Sequence, residues 1–294
     1  MKKILIALFI LFTAVHTNAQ LLWRISGNGL AKPSYVLGTH HLAPLSIIDS
    51  IKGLHPAFDS TTQVIGELEM SEVQSPAAMQ LMQQEMMIKN DTTLKMLFNP
   101  EQYSLVNNFT KTNLGFDLSQ MPKLKPAFIL NNAVVVLYMK HVNNFNPQEQ
   151  LDSYFQTEAK KKGEKIIALE TLEFQFNLLY KSSSLHRQAE LLLCELSDVD
   201  KLVANAKRLT KAYMNQNLEG MYKLSKERDN TNCDPTQEEI NLMIDTRNQK
   251  WANKLPALIS TAPSFIVVGA LHLPGKEGLL NLLKQEGYTV EPVE

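Results

Sequence analysis

The chain has 294 residues, 44% of them hydrophobic, and its 29 basic and 30 acidic residues leave a formal net charge of −1. A near-neutral, mixed surface carries no electrostatic footprint for nucleic acid, so function must be sought in local motifs. The length suits one fairly large domain, or one with a helical insertion.

Met1-Lys2-Lys3, an apolar run from Ile4 to Val15 and then Thr17-Asn18-Ala19 form the pattern of a secretory signal peptide cut after Ala19. The apolar run is shorter than the about 20 residues of a membrane span. The mature chain is therefore expected to be exported, periplasmic or secreted, without a transmembrane segment. Leu22 to Ile25, the turn formers Ser26-Gly27-Asn28-Gly29 and then Ser34 to Leu37 give a hairpin signal. A helix is expected over Ile47 to Phe58, followed by a strand over Gln63 to Glu69. From Pro76 to Lys162 helical patterns dominate, including a buried helix over Ala127 to Tyr138. The methionines at 79, 82, 86 and 87 suit packing, and flexible methionines also suit peptide-binding surfaces.

A fourth strand, Lys165 to Leu169, interrupts the helices, which resume from Thr171 to about Leu258. The chain then closes with strand Ser264 to Val268, helix Glu277 to Glu286 and strand Tyr288 to Val290. These elements predict an α/β (α+β) fold. A central mixed sheet is built from N- and C-terminal segments, and a helix-rich middle forms a cap. Cys194 and Cys233 either pair or remain free thiols; neither sits in a C-x-x-C motif.

Two stretches echo each other: Tyr35-Val36-Leu37-Gly38-Thr39-His40-His41 and Phe265-Ile266-Val267-Val268-Gly269-Ala270-Leu271-His272. Each is a buried-strand pattern followed by Gly-x-x-His, and in open α/β sheets ligands bind beyond the carboxyl ends of strands. Glu67 and Glu170 follow the third and fourth strand patterns. Two histidines and a carboxylate suit a catalytic divalent metal that acidifies bound water. Strand alternation would put Glu67 and Glu69 on one face, either as ligand and the other as base or supporting partner. The plainer alternatives are hydrogen-bonded structural histidines, glycines that only make turns, and a helix start at Glu170 and Glu173. Arg247 and Trp251 share one face of a helix. Arg247 is either an exposed charge or a clamp for an oxyanion.

These residues, in this order, resemble the TraB/GumN family, relatives of the Tiki metalloproteases. The likeness runs through Leu22-Trp23-Arg24-Ile25, the first histidine motif with Pro44, Gly66-Glu67-Leu68-Glu69 and Leu151-Asp152. It continues through Ala168 to Gln175, Arg247 to Trp251, Val267 to Gly275 and Gly278-Leu279-Leu280. It implies a single TraB/GumN-like domain over residues 20–294 with an erythromycin-esterase and ChaN-like fold. It further implies metal-dependent hydrolysis, with a peptide as substrate and manganese or cobalt favoured over zinc. Carried over, His41, His272 and Glu67 would hold the metal, and Glu67, Glu69 or Glu170 would serve the water. Arg247 would meet the oxyanion, while His40 and Asn248 would touch substrate. His40 departs from the family pattern, where an aliphatic residue is more usual. Related folds also include an esterase that uses histidine and glutamate without an obvious metal, and haem-binding members. A metal-free esterase-like hydrolase and a non-catalytic haem, metal or envelope binder are therefore the alternatives.

Overall fold

The computed structural model describes residues 20–142 and 145–293. The expected signal peptide, residues 1–19, lies outside the described residues. Six strands are formed by Leu22–Ser26 (β1), Ser34–Thr39 (β2), Gln63–Gly66 (β3), Lys165–Ala168 (β4), Ser264–Gly269 (β5) and Thr289–Pro292 (β6). They make one mixed sheet in the order β4-β3-β5-β2-β1-β6. β4, β3, β5 and β2 run parallel, whereas β1 is antiparallel to both β2 and β6. The expected α/β class and the closing of the sheet by both ends of the chain are therefore observed.

The run Phe265-Ile266-Val267-Val268 in β5 is fully buried, as an all-apolar parallel strand covered on both faces should be. Phe265 packs edge-on to Phe58 and beside Phe155, with ring centroids 5.2 and 4.8 Å apart. These contacts tie the helices Leu54–Asp59 and Leu151–Lys161 to the sheet. The helix Thr246–Thr261 buries Arg247, Asn248, Trp251, Ala252, Leu255 and Ile259. That stripe at i, i+4, i+8 carries Arg247 inward with the apolar residues beneath it. A second apolar cluster, including Phe98, Val106, Ile129, Leu137, Leu192 and Val203, forms the heart of the helical cap. Pro126–His141 is one helix of that cap, and among the described residues no helix is long and apolar enough to cross a membrane.

Two expectations need correction. The helix over 47–58 is instead a 3-10 segment, Leu45–Ser50, and a separate helix, Leu54–Asp59, with Gly53 between them at φ 68°. A positive φ suits glycine and breaks the helical path. The strand over 63–69 stops at Gly66, so alternation does not extend to Glu69. The cysteines are paired: Cys194 and Cys233 form a disulfide with their Cα atoms 5.7 Å apart. Beside it, Arg187 donates to the backbone carbonyls of Asn232 and Asp234 and to Glu239, which fixes the loop carrying Cys233.

Candidate active site

The parallel register brings four chemical side chains to one edge. Gly66 pairs with Ala168 and Val267, and Thr39 pairs with Gly269. Glu170, Glu67, His272 and His41 therefore follow, in that spatial order, the ends of β4, β3, β5 and β2. The ladder runs one step further between the acids, since Glu170 N–H donates to the Glu67 carbonyl at 3.0 Å. Neither motif glycine is a turn residue with positive φ, contrary to the simple reading. A Cβ on Gly38 would lie 2.9 Å from Ala270 Cα, and one on Gly269 would lie 3.4 Å from both Glu67 Oε1 and His272 Cδ2. Gly38 makes space for the chain after β5, whereas a side chain at Gly269 would only come into contact with the acid and the imidazole.

Arg247 lies at the centre of the inner half of this edge. Its Nε donates to Glu170 Oε1 at 2.8 Å and its Nη2 to Glu170 Oε2 at 2.9 Å and to Glu67 Oε2. Nη1 donates to the Met243 carbonyl at 3.1 Å and to His272 Nε2 at 3.0 Å. All five guanidinium protons are thus engaged. Glu170 is filled as well, because Trp251 Nε1 and Gln175 Nε2 donate to it at 3.0 Å each. Burial works against the charge of Arg247, but Glu170 and Glu67 outweigh it and hold the guanidinium above its ordinary pKa.

The proton on His272 follows from its partners. Asn248 Nδ2 donates to the carbonyls of His272 and Glu277 at 3.1 and 2.8 Å, so Asn248 Oδ1 faces the ring. His272 Nδ1 lies 2.7 Å from that oxygen and must donate to it. Nε2 then carries the lone pair that accepts from Arg247. The ring is buried against Trp251 with centroids 4.4 Å apart. Burial pushes its pKa down to about 4 and Arg247 adds to that, against the opposing charge of Glu67. His272 is therefore neutral at pH 7, with both nitrogens occupied.

The outer half is different. His41 is exposed, and among the described residues no hydrogen-bond partner holds its ring. Glu67 accepts from the Gly269 N–H at 2.9 Å on Oε1 and from Arg247 and Gln175 on Oε2. That is three of about four lone-pair positions on a carboxylate. Burial resists its ionisation, but the charges of His272 (when protonated) and Arg247, with the Gly269 N–H, overcome this and lower its pKa. Asp152 shifts the other way: burial raises its pKa and the Glu67 charge adds, against His41 and a 3.4 Å hydrogen bond from Thr39. Leu42, the residue after His41, lines a cavity of about 400 Å³ whose wall mixes Val134, Leu202 and Leu209 with the charged Lys201, Arg208 and Glu227.

Several expected site residues have other tasks. His40 turns to the cap, with Nε2 2.9 Å from Thr210 Oγ1 and its ring 5.4 Å from that of Tyr213. Burial, and then the charge of His41, lowers its pKa to about 4. Asn248 has no exposed surface and no free polar atom for a substrate. Arg247 has no proton left for an oxyanion. Glu69 accepts from Ser71 Oγ at 2.8 Å and is not hydrogen-bonded to the cluster. Asp152 and Gln175 are the residues whose contribution was missed. Both stand inside the matched motifs, but Asp152 lies in a helix far from any strand end, and only folding brings it to the edge.

The implied metal does not fit the predicted donors as they stand. Among the described residues no group of three or more His, Cys, Asp or Glu side chains is placed to hold a metal ion. His272 Nε2, 4.0 Å from Glu67 Oε1, directs its lone pair at a guanidinium instead.

The chain matches no curated protein and no solved structure. The model of the TraB/PrgY/gumN family matches residues 21–292, which include every strand and every side chain of the edge just described. The chain belongs to the TraB/PrgY/gumN family.

Proposed function

We propose that the chain is a hydrolase of a peptide or small ester that works by side-chain acid–base chemistry at the outer half of the sheet edge. The observation that carries this reading is the division of the cluster. His272, Arg247 and Glu170 are fully engaged, while the exposed imidazole of His41 acts by its charge on Asp152, whose carboxyl shifts in the direction opposite to that of Glu67. Pairs whose environments drive their pKa values apart suit separate roles as charged group and proton donor. His41 takes a proton from water as the water oxygen attacks the substrate carbonyl. Asp152, on which the charges of both His41 and Glu67 act, gives its proton to the leaving atom. The His41 proton then returns to Asp152, which closes the cycle.

Export belongs to the same reading. The Cys194–Cys233 disulfide supports an oxidising compartment, in keeping with the N-terminal pattern of charge and apolar residues. Residues 20–294 act as one unit in this proposal.

The test is a panel of peptides and esters given to the mature chain with and without chelator. Hydrolysis that survives chelation and falls in His41→Ala and Asp152→Asn is expected. Hydrolysis abolished by chelation and restored by manganese or cobalt would overturn the mechanism. The absence of any cleavage would favour a binding protein instead.

A further inference from the structure

The inner half of the edge contains a cation of its own. Glu67 and Glu170 are adjacent through a backbone bond, and their side chains are 19% and 6% exposed. Two carboxylates brought this close in a buried place need positive charge between them. Arg247 supplies it in a two-bond fork to Glu170, one bond to Glu67 and one to the lone pair of His272. Trp251 stacks over the guanidinium, with Cζ 4.8 Å from the ring centroid. We infer that the Arg247 guanidinium is the resident cation of this cluster, holding the place that a divalent metal would take, with Glu67, Glu170 and His272 as its acceptors rather than metal ligands.

The geometry makes the exchange costly. A metal on Glu67 and His272 would have to take the one Nε2 lone pair of His272, which now receives Arg247 Nη1. The Nη1 proton would then be left without its imidazole acceptor in a buried place, beside a second cation. The same geometry makes the vacated site attractive: without the arginine, two carboxylates and an imidazole nitrogen would face one space, an oxygen- and nitrogen-rich set suited to a first-row divalent ion.

The test uses cobalt(II) as the probe and visible ligand-field absorption as the readout, so it does not depend on the hydrolytic reading or on any activity. Wild type and His272→Ala are expected to give the same cobalt spectrum. Arg247→Ala is expected to gain a cobalt band that the double variant Arg247→Ala/His272→Ala loses. A wild-type cobalt band that disappears in His272→Ala would overturn the inference. So would a folded Arg247→Ala that gains no band. To keep the test independent of whether Arg247→Ala folds, ¹⁵N NMR of the wild-type imidazole provides a second measurement. The Nε2 resonance of His272 should keep its lone-pair position when zinc is added, and a coordination shift there would refute the assignment.

Discussion

The Gly-x-x-His turns after β2 and β5 start from neighbouring strands, and Thr39 and Gly269 are paired across them. After β5 the chain makes a 3-10 turn, Ala270–His272, which directs the imidazole back under the helix Thr246–Thr261. After β2 the chain leaves the sheet toward the cap. His40 takes the inward direction there, to Thr210, and His41 is left at the surface. Repetition in sequence thus fixes where a side chain begins, while the covering helix decides whether it is locked or free. The buried histidine organises the edge; the exposed one has no hydrogen-bond partner among the described residues.

This contrast predicts opposite phenotypes. His41→Ala should lower hydrolysis by about 10²- to 10⁴-fold, the usual contribution of a general base. Its unfolding free energy in urea should stay within about 0.5 kcal/mol of wild type, as for other exposed sites. A stability loss with full activity would break the comparison at its active end.

Arg247→Ala should be the most destabilising change at the edge. It leaves Glu67 and Glu170 without their cation in a buried place, which costs about 3–5 kcal/mol. Urea unfolding at pH 7 measures it directly. A cost near that of a surface substitution would mean that the two acids find other compensation.

His272→Ala sharpens the comparison from the other side. It removes the acceptor of one Arg247 proton and the donor to Asn248, and unmatched buried groups of this kind cost about 1–3 kcal/mol each. Asn248→Ala should act through the same network. A double-mutant cycle between the two should show a coupling of about 0.5–3 kcal/mol. Additive effects would show that Asn248 does not set the proton on His272.

The sheet was legible because its strands are short apolar runs bounded by turn formers, and both ends of the chain carry them. The positions of Glu67, Glu170, His41 and His272 were legible for the same reason, since each follows a strand. Their tasks were not. Strand alternation could not place Glu69, because pairing stops at Gly66 and the next residues turn into the helix Met70–Val73. The face shared by Arg247 and Trp251 was visible in their spacing. Nothing in the sequence reveals that five acceptors await the guanidinium there. Asp152 sits in a helix, and the matched pair Leu151-Asp152 carries no strand-end signal, so only its tertiary position beside Thr39 brings it to the site.

The smallest effect tests the protonation state that separates the two histidines. His272 has an ordinary pKa of 6.5 that folding lowers to about 4. Between these values the unfolded chain binds the proton and the folded chain does not. Its contribution to stability is therefore full above pH 6.5 and lost as pH falls toward about 4. From pH 7 to about pH 5.5 the loss should be about 1 kcal/mol. His40, also lowered to about 4, contributes with the same sign. Asp152 contributes with the opposite sign, because its folded carboxyl is raised and takes up its proton earlier than the unfolded one. Glu67 enters only at lower pH, since its folded carboxyl lies below the ordinary carboxylate range. Comparing wild type with His272→Gln isolates one imidazole from these other groups. Urea unfolding at the two pH values should show a shallower decline in the variant by about 1 kcal/mol. Equal declines would mean that the His272 ring is not held neutral, and the proton assignment through Asn248 and Arg247 would fail with it.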